Sequence, residues 1–104
     1  MKYVFFAAIA FALGASPSLA SELKVGQKDK QFSTDSITAS VGDVIVFQND
    51  DQVAHNVHSN KGPQRFNLGL QQPGESARLE LAEDGTVEIR CAVHPKMKLT
   101  VTVK

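Results

Sequence analysis

The chain has 104 residues, 11 basic and 11 acidic side chains, and a single cysteine. That length allows one small domain and excludes a large α/β enzyme, a barrel or a repeat array. One cysteine excludes an intramolecular disulfide framework. The balanced charge argues against a nucleic-acid partner, because such binders normally carry a basic excess.

In chain order, Met1-Lys2 leads into an apolar run from Tyr3 to Leu13, and Ser18-Leu19-Ala20 follows. A basic start, an apolar stretch and a small-x-small site describe a secretory signal peptide over residues 1–20. The run is short for a transmembrane helix, and Gly14 and Pro17 interrupt it. No membrane contact is expected after cleavage. The mature domain is then 21–104, with 10 basic and 11 acidic residues once Lys2 is gone, a formal charge of −1. So small a domain buries only ~60–65% of its unfolded surface. Exported domains of this size usually add disulfides, a metal or an oligomeric interface. With disulfides excluded, a metal site is the feature to seek.

The mature chain reads as strands. Leu23 to Gln27 alternates, Ser36 to Ala39 is a short second run, and Val44 to Asn49 is a buried central strand. After the polar Asp50-Asp51-Gln52, an extended pattern resumes from Val53 to His58. Phe66, Leu68 and Leu70 alternate up to the Pro73-Gly74 turn, and Ala77, Leu79 and Leu81 up to the Asp84-Gly85 turn. Val87, Ile89 and Cys91 form one apolar face, and Leu99, Val101 and Val103 another. Seven or eight strands with evenly spaced turns predict an all-β fold, a Greek-key two-sheet β-sandwich.

The chemistry is concentrated in Cys91-Ala92-Val93-His94-Pro95-Lys96-Met97, with a second cluster at His55-Asn56-Val57-His58. A thiolate, an imidazole and a thioether within one loop, plus a distant imidazole, are the donors of a His₂Cys copper site with a weak axial Met. Alternation puts His55 and Val57 on one face of their strand and His58 on the other. His55 lies nearest the polar loop, at the sandwich end that Cys91 reaches. His58 falls ~10 Å farther along, at ~3.3 Å per residue. The expected metal ligands are His55, Cys91, His94 and Met97, with His58 left as a surface or sheet residue. A structural zinc site on Cys91, His94 and His55 would leave Met97 without a purpose. An enzyme is not expected, because no acid/base pair or open coordination position is evident.

These motifs, together with Val46-Phe47-Gln48-Asn49-Asp50, resemble those of the cupredoxins, the small type 1 blue-copper proteins, and of the amicyanin and pseudoazurin group in particular. The Cys-x₂-His-x₂-Met spacing is similar to that of amicyanin. The resemblance implies a copper-binding β-sandwich that carries single electrons in the periplasm. It implies a redox partner such as a c-type cytochrome or a periplasmic oxidoreductase, and a monomer. It also implies that Asn56 ties the two ligand loops together and donates a backbone N–H toward the thiolate. Three residues depart from the family pattern: Ile89 replaces a frequent aromatic, Val93 replaces a frequent proline, and Arg90 directly precedes Cys91.

In that architecture His94 is the expected electron port, within a docking face that includes Pro95, Leu70 and Pro73. The rim around it is mixed, with Asp50, Asp51 and Glu75 against Lys96 and Lys98, and Lys61 and Arg65 are expected at the opposite end. The same donor set would also serve a periplasmic Cu(I)-binding protein for copper delivery or resistance.

Overall fold

The computed structural model describes residues 20–104. The signal-peptide expectation, save for Ala20, lies outside these residues. Among them there is no helix, and the elements are nine strands: β1 (Glu22–Lys28), β2 (Gln31–Phe32), β3 (Ser36–Ala39), β4 (Val44–Asn49), β5 (His55–Ser59), β6 (Phe66–Gln71), β7 (Ser76–Glu80), β8 (Gly85–Cys91) and β9 (Lys98–Val103). One sheet has the order β2-β1-β4-β7 and the other β3-β9-β8-β5-β6. Both are mixed, since β1 runs parallel to β4 and β3 parallel to β9.

Period-2 alternation explains the layers. Val25 on β1, Ile45 and Phe47 on β4, and Leu79 on β7 are buried from one sheet. Val57 on β5, Val87 and Ile89 on β8, and Leu99, Val101 and Val103 on β9 are buried from the other. Facing apolar rows of this kind form the core of a sandwich. The smallest strand, β2, was invisible as a strand in the sequence because it has two residues. It follows a two-residue connection in which Asp29 and Lys30 both have positive φ, 53° and 58°. Such a turn matches the twist of a tight hairpin, but non-glycine side chains adopt it at a cost.

Two further differences from the sequence pattern bear on the site. The strand expected from Val53 begins at His55, because Asn49 captures the preceding loop. Its side-chain amide donates to Val53 O and Gln71 O, and its Oδ1 accepts Asp51 N–H. The alternation of Phe66, Leu68 and Leu70 also breaks. The β5–β6 register shifts between Asn56 and His58, and Gly69 there has φ 82°. This bulge turns Leu70 outward, leaving it exposed, and turns Gln71 inward, where it is buried.

Candidate metal centre

Two inward-facing strand ends meet at one end of the sandwich. Cys91 continues the buried face of Val87 and Ile89 to the last position of β8. His55 is the first residue of β5 and shares the inward face with Val57. Both are essentially inaccessible to solvent. Val57 pairs with Cys91 across the two strands, so the pairing fixes the cysteine two residues along the strand from His55. His94 comes from the loop between β8 and β9 and is half-buried.

The three donors converge. His55 Nδ1 lies 3.6 Å from Cys91 Sγ, His94 Nδ1 lies 4.0 Å from the same sulfur, and the two Nδ1 atoms are 3.2 Å apart. All three potential ligand atoms lie within 4.8 Å of one another. His58 is the register partner of Arg90 on the sheet's outer face and is absent from this cluster. Met97 is buried where β9 is about to begin, and its N–H donates to His94 O at 3.0 Å, closing the ligand loop.

The surroundings of His55 settle which nitrogen is free. Its Nε2 lies 2.9 Å from Asp51 Oδ2, and a carboxylate accepts, so the neutral ring carries its proton on Nε2 and turns the Nδ1 lone pair toward Cys91 and His94. Asp51 is itself anchored, accepting Lys30 N–H at Oδ2 and Gln52 N–H at Oδ1, each at 2.9 Å. The Lys30 N–H, the hydrogen bond from His55 and the Gln52 N–H hold the Asp51 carboxyl well below the usual carboxylate range. From the sequence alone Asp51 is only one acid of the charged rim. Its signal was a carboxylate four residues before a histidine in a polar loop.

The thiol is prepared in the same way. Asn56 N–H points at Cys91 Sγ from 3.3 Å, and the Asn56 side-chain amide donates to Asn67 on β6. Arg90, noted in the sequence only as a departure, donates from Nη1 to Pro95 O at 3.0 Å and from Nη2 to Glu88 at 2.7 Å. It thus pins the loop that carries His94, in a chain with Val93 where a proline is frequent. Beneath the donors, Gln27 donates to Gln71 and Gln71 to Phe47 O. This buried amide chain braces the strand ends against each other.

A thiolate and two imidazole lone pairs aimed at one point suit a soft or borderline ion of copper or zinc type. Without an ion, two acceptor nitrogens 3.2 Å apart would repel or trap a proton, so the cluster fits a bound cation better than a packed core.

The fold and this donor cluster are those of a cupredoxin. The chain matches the copper binding proteins of the plastocyanin/azurin family over residues 19–104, and it belongs to that family. It is 31% identical to the methylamine utilization protein MauL of Methylorubrum extorquens over 106 aligned positions, spanning 99% of this chain and 93% of the relative. Among solved structures it is similar to the purple cupredoxin of Nitrosopumilus maritimus, with a TM-score of 0.72 at 23% identity over 79% of this chain and 99% of that one. A reduced amicyanin variant gives a TM-score of 0.74 at 24% identity, covering 81% of this chain and 83% of the other. Copper is accordingly the cofactor.

Proposed function

We propose that the protein is a periplasmic one-electron carrier whose copper is held by His55, Cys91 and His94, with Met97 as a weak axial donor. The observation that carries this reading is the convergence of Cys91 Sγ and two Nδ1 atoms at 3.2–4.0 Å. Bound copper supplies a Cu(I)/Cu(II) couple, and the protein's part is to keep its donors still while the charge changes.

The residues are suited to that part. His55 cannot rotate while Asp51 holds its Nε2, and Asp51 cannot withdraw while Lys30 and Gln52 hold its oxygens. The Asn56 N–H stabilises negative charge on the sulfur. His55 and Cys91 are sealed in the core, so only the His94 side reaches the surface. Val93 and Pro95 lie beside it, Val53, Leu70 and Val93 are exposed, and in this reading Leu70 and Pro73 complete the docking face. A small apolar face suits a brief encounter with a c-type cytochrome or a periplasmic oxidoreductase. Residues 1–20 serve as the export signal in this reading, and 21–104 as the working monomer.

Adding Cu(II) to the purified protein and recording the visible spectrum tests the reading. An intense thiolate-to-copper band, lost in Cys91→Ala, is expected. A colourless protein that takes up zinc in preference would overturn it.

A further inference from the structure

β4 runs from Val44 toward Asn49, and Asn49 holds the loop that carries Asp51. Asp43, just before β4, therefore marks the end of the sandwich away from the metal donors. There the head of β1 is tied down. Ser21 O accepts Val44 N–H at 2.9 Å, and Ser21 N–H donates to Asp43 Oδ1 at 3.0 Å. The other Asp43 carboxylate oxygen accepts Ser40 N–H at 2.9 Å. Asp43 O accepts Leu81 N–H, and Val41 N–H donates to Lys104 O. The turn 40–43 thus joins the end of β3, the start of β4, the end of β7 and the end of β9, which belong to both sheets. The Ser40 and Ser21 N–H groups hold the Asp43 carboxyl below its ordinary value, so it is an anion at neutral pH.

Two independent observations meet at one peptide bond. Ser18-Leu19-Ala20 is the small-x-small pattern that places the cut between Ala20 and Ser21. In the fold, Ala20 is exposed and outside any strand, whereas Ser21 is held on both its N–H and its C=O. Hydrolysis of that bond changes the group that Asp43 holds. Water breaks the C–N bond, its hydroxyl goes to the Ala20 carbonyl carbon and its hydrogen to the Ser21 nitrogen. The freed amine then takes a proton from solvent, because an α-amine has a pKa of about 7.7–8.0. A neutral amide N–H becomes an ammonium ion at the same nitrogen, 3.0 Å from a carboxylate oxygen.

We propose that processing by a signal peptidase after Ala20 completes a clamp, in which the new Ser21 ammonium group pairs with Asp43 and pins the head of β1 to the turn before β4. The proposal rests on the export reading and adds to it the acceptor for the new terminus. A charge-assisted hydrogen bond is stronger than a neutral one, so the cut chain is held more firmly than the precursor at the same atoms. The gain is modest, because Ser21 is exposed and salt screens such a pair. The other charged residues around it are Glu22, paired with Arg78 at 2.8 Å, Glu80 in register with Val44, and Lys104 after β9. Asp43 is the one whose carboxylate reaches the Ser21 nitrogen. Pairing raises the amine pKa in the folded state. Its contribution to stability is present below the unfolded amine value and is lost as pH rises through the folded value.

The test exports the full chain, reads the intact mass of the recovered protein, and follows the Ser21 α-amine by NMR titration in the parent and in Asp43→Asn. The mass of residues 21–104 is expected. The acid dissociation constant of the amine should be about two- to fivefold lower in the parent than in Asp43→Asn, and the difference should shrink in about 1 M salt. In the parent alone, the Asp43 carboxyl carbon signal should move as the amine loses its proton, a readout that needs no folded variant. A cut at another bond would overturn the export boundary and the clamp with it. A cut after Ala20 with an amine that titrates alike in both proteins, or with an Asp43 signal indifferent to the amine, would overturn the clamp alone. Neither readout involves the copper spectrum, so the carrier reading is judged separately.

Discussion

The two histidines of the centre are held in opposite ways. His55 sits on a strand, fully buried, with Nε2 locked to a carboxylate that two backbone N–H groups, those of Lys30 at the hairpin tip and of Gln52, keep in place. His94 sits on a loop of bends, half-buried, and its loop is fastened through neighbours, by Arg90 to Pro95 and by Met97 N–H to His94 O. One side of the site is part of the sandwich, and the other is a flap tied down at two points. The difference teaches where geometry is stored and where exchange with the outside takes place. The strand side fixes the donor positions before any metal arrives. The loop side provides the route out.

Substitutions at the two histidines should separate these roles most sharply. His55→Ala removes a buried ring and strands Asp51, so we expect a loss of about 2–4 kcal/mol in stability of the metal-free protein, together with loss of copper colour. His94→Ala should leave metal-free stability within about 1 kcal/mol. Because His94 reaches the surface, added imidazole should restore colour to His94→Ala and fail to restore it to His55→Ala. Chemical denaturation and visible titration read both effects. Equal destabilisation, or equal rescue, would remove the distinction.

Asp51→Asn comes next. It keeps the shape but replaces the anion that fixes the His55 tautomer. Loss of such a partner typically costs about 10–100-fold in metal affinity, and the reduction potential should rise because Cu(II) loses a nearby negative charge. Competition with a chelator and voltammetry measure the two. Acid stability carries a third readout. The folded pKa of Asp51 is depressed, so its contribution is present above its unfolded value of about 3.9 and is lost as pH falls through the folded value. Acid unfolding of metal-free Asp51→Asn should therefore be less steep below about pH 4 than that of the parent.

The smallest effect is expected at the hairpin tip. Lys30 holds φ 58° without the tolerance of a glycine. Lys30→Gly keeps the N–H that reaches Asp51 and relieves the left-handed backbone, so thermal unfolding should show a gain of about 0.5–1 kcal/mol with the copper spectrum unchanged. A loss of stability would mean that the Lys30 side chain, not its backbone, holds the tip.

Much of this arrangement was legible because alternation is a strong constraint. Val87-Ile89-Cys91 and Leu99-Val101-Val103 could face inward only together, and the same rule separated His55 from His58. What was hidden depends on contacts between distant segments. A two-residue β2 has too little pattern to register. The bulge at Gly69 flips Leu70 without any change in the apolar periodicity. Asp51 reads as one more acid in a polar loop until the β1–β2 tip folds over it. Arg90 reads as an irregularity until the loop carbonyl of Pro95 stands opposite.

The central claim is that His55, Cys91 and His94 form one preorganised site for copper. X-ray absorption at the copper edge of the loaded protein tests it most directly. The account predicts one short copper–sulfur bond with two imidazole nitrogens, unchanged in His58→Gln. A copper environment of nitrogen and oxygen without the short sulfur bond, or one that loses an imidazole when His58 is replaced, would contradict it.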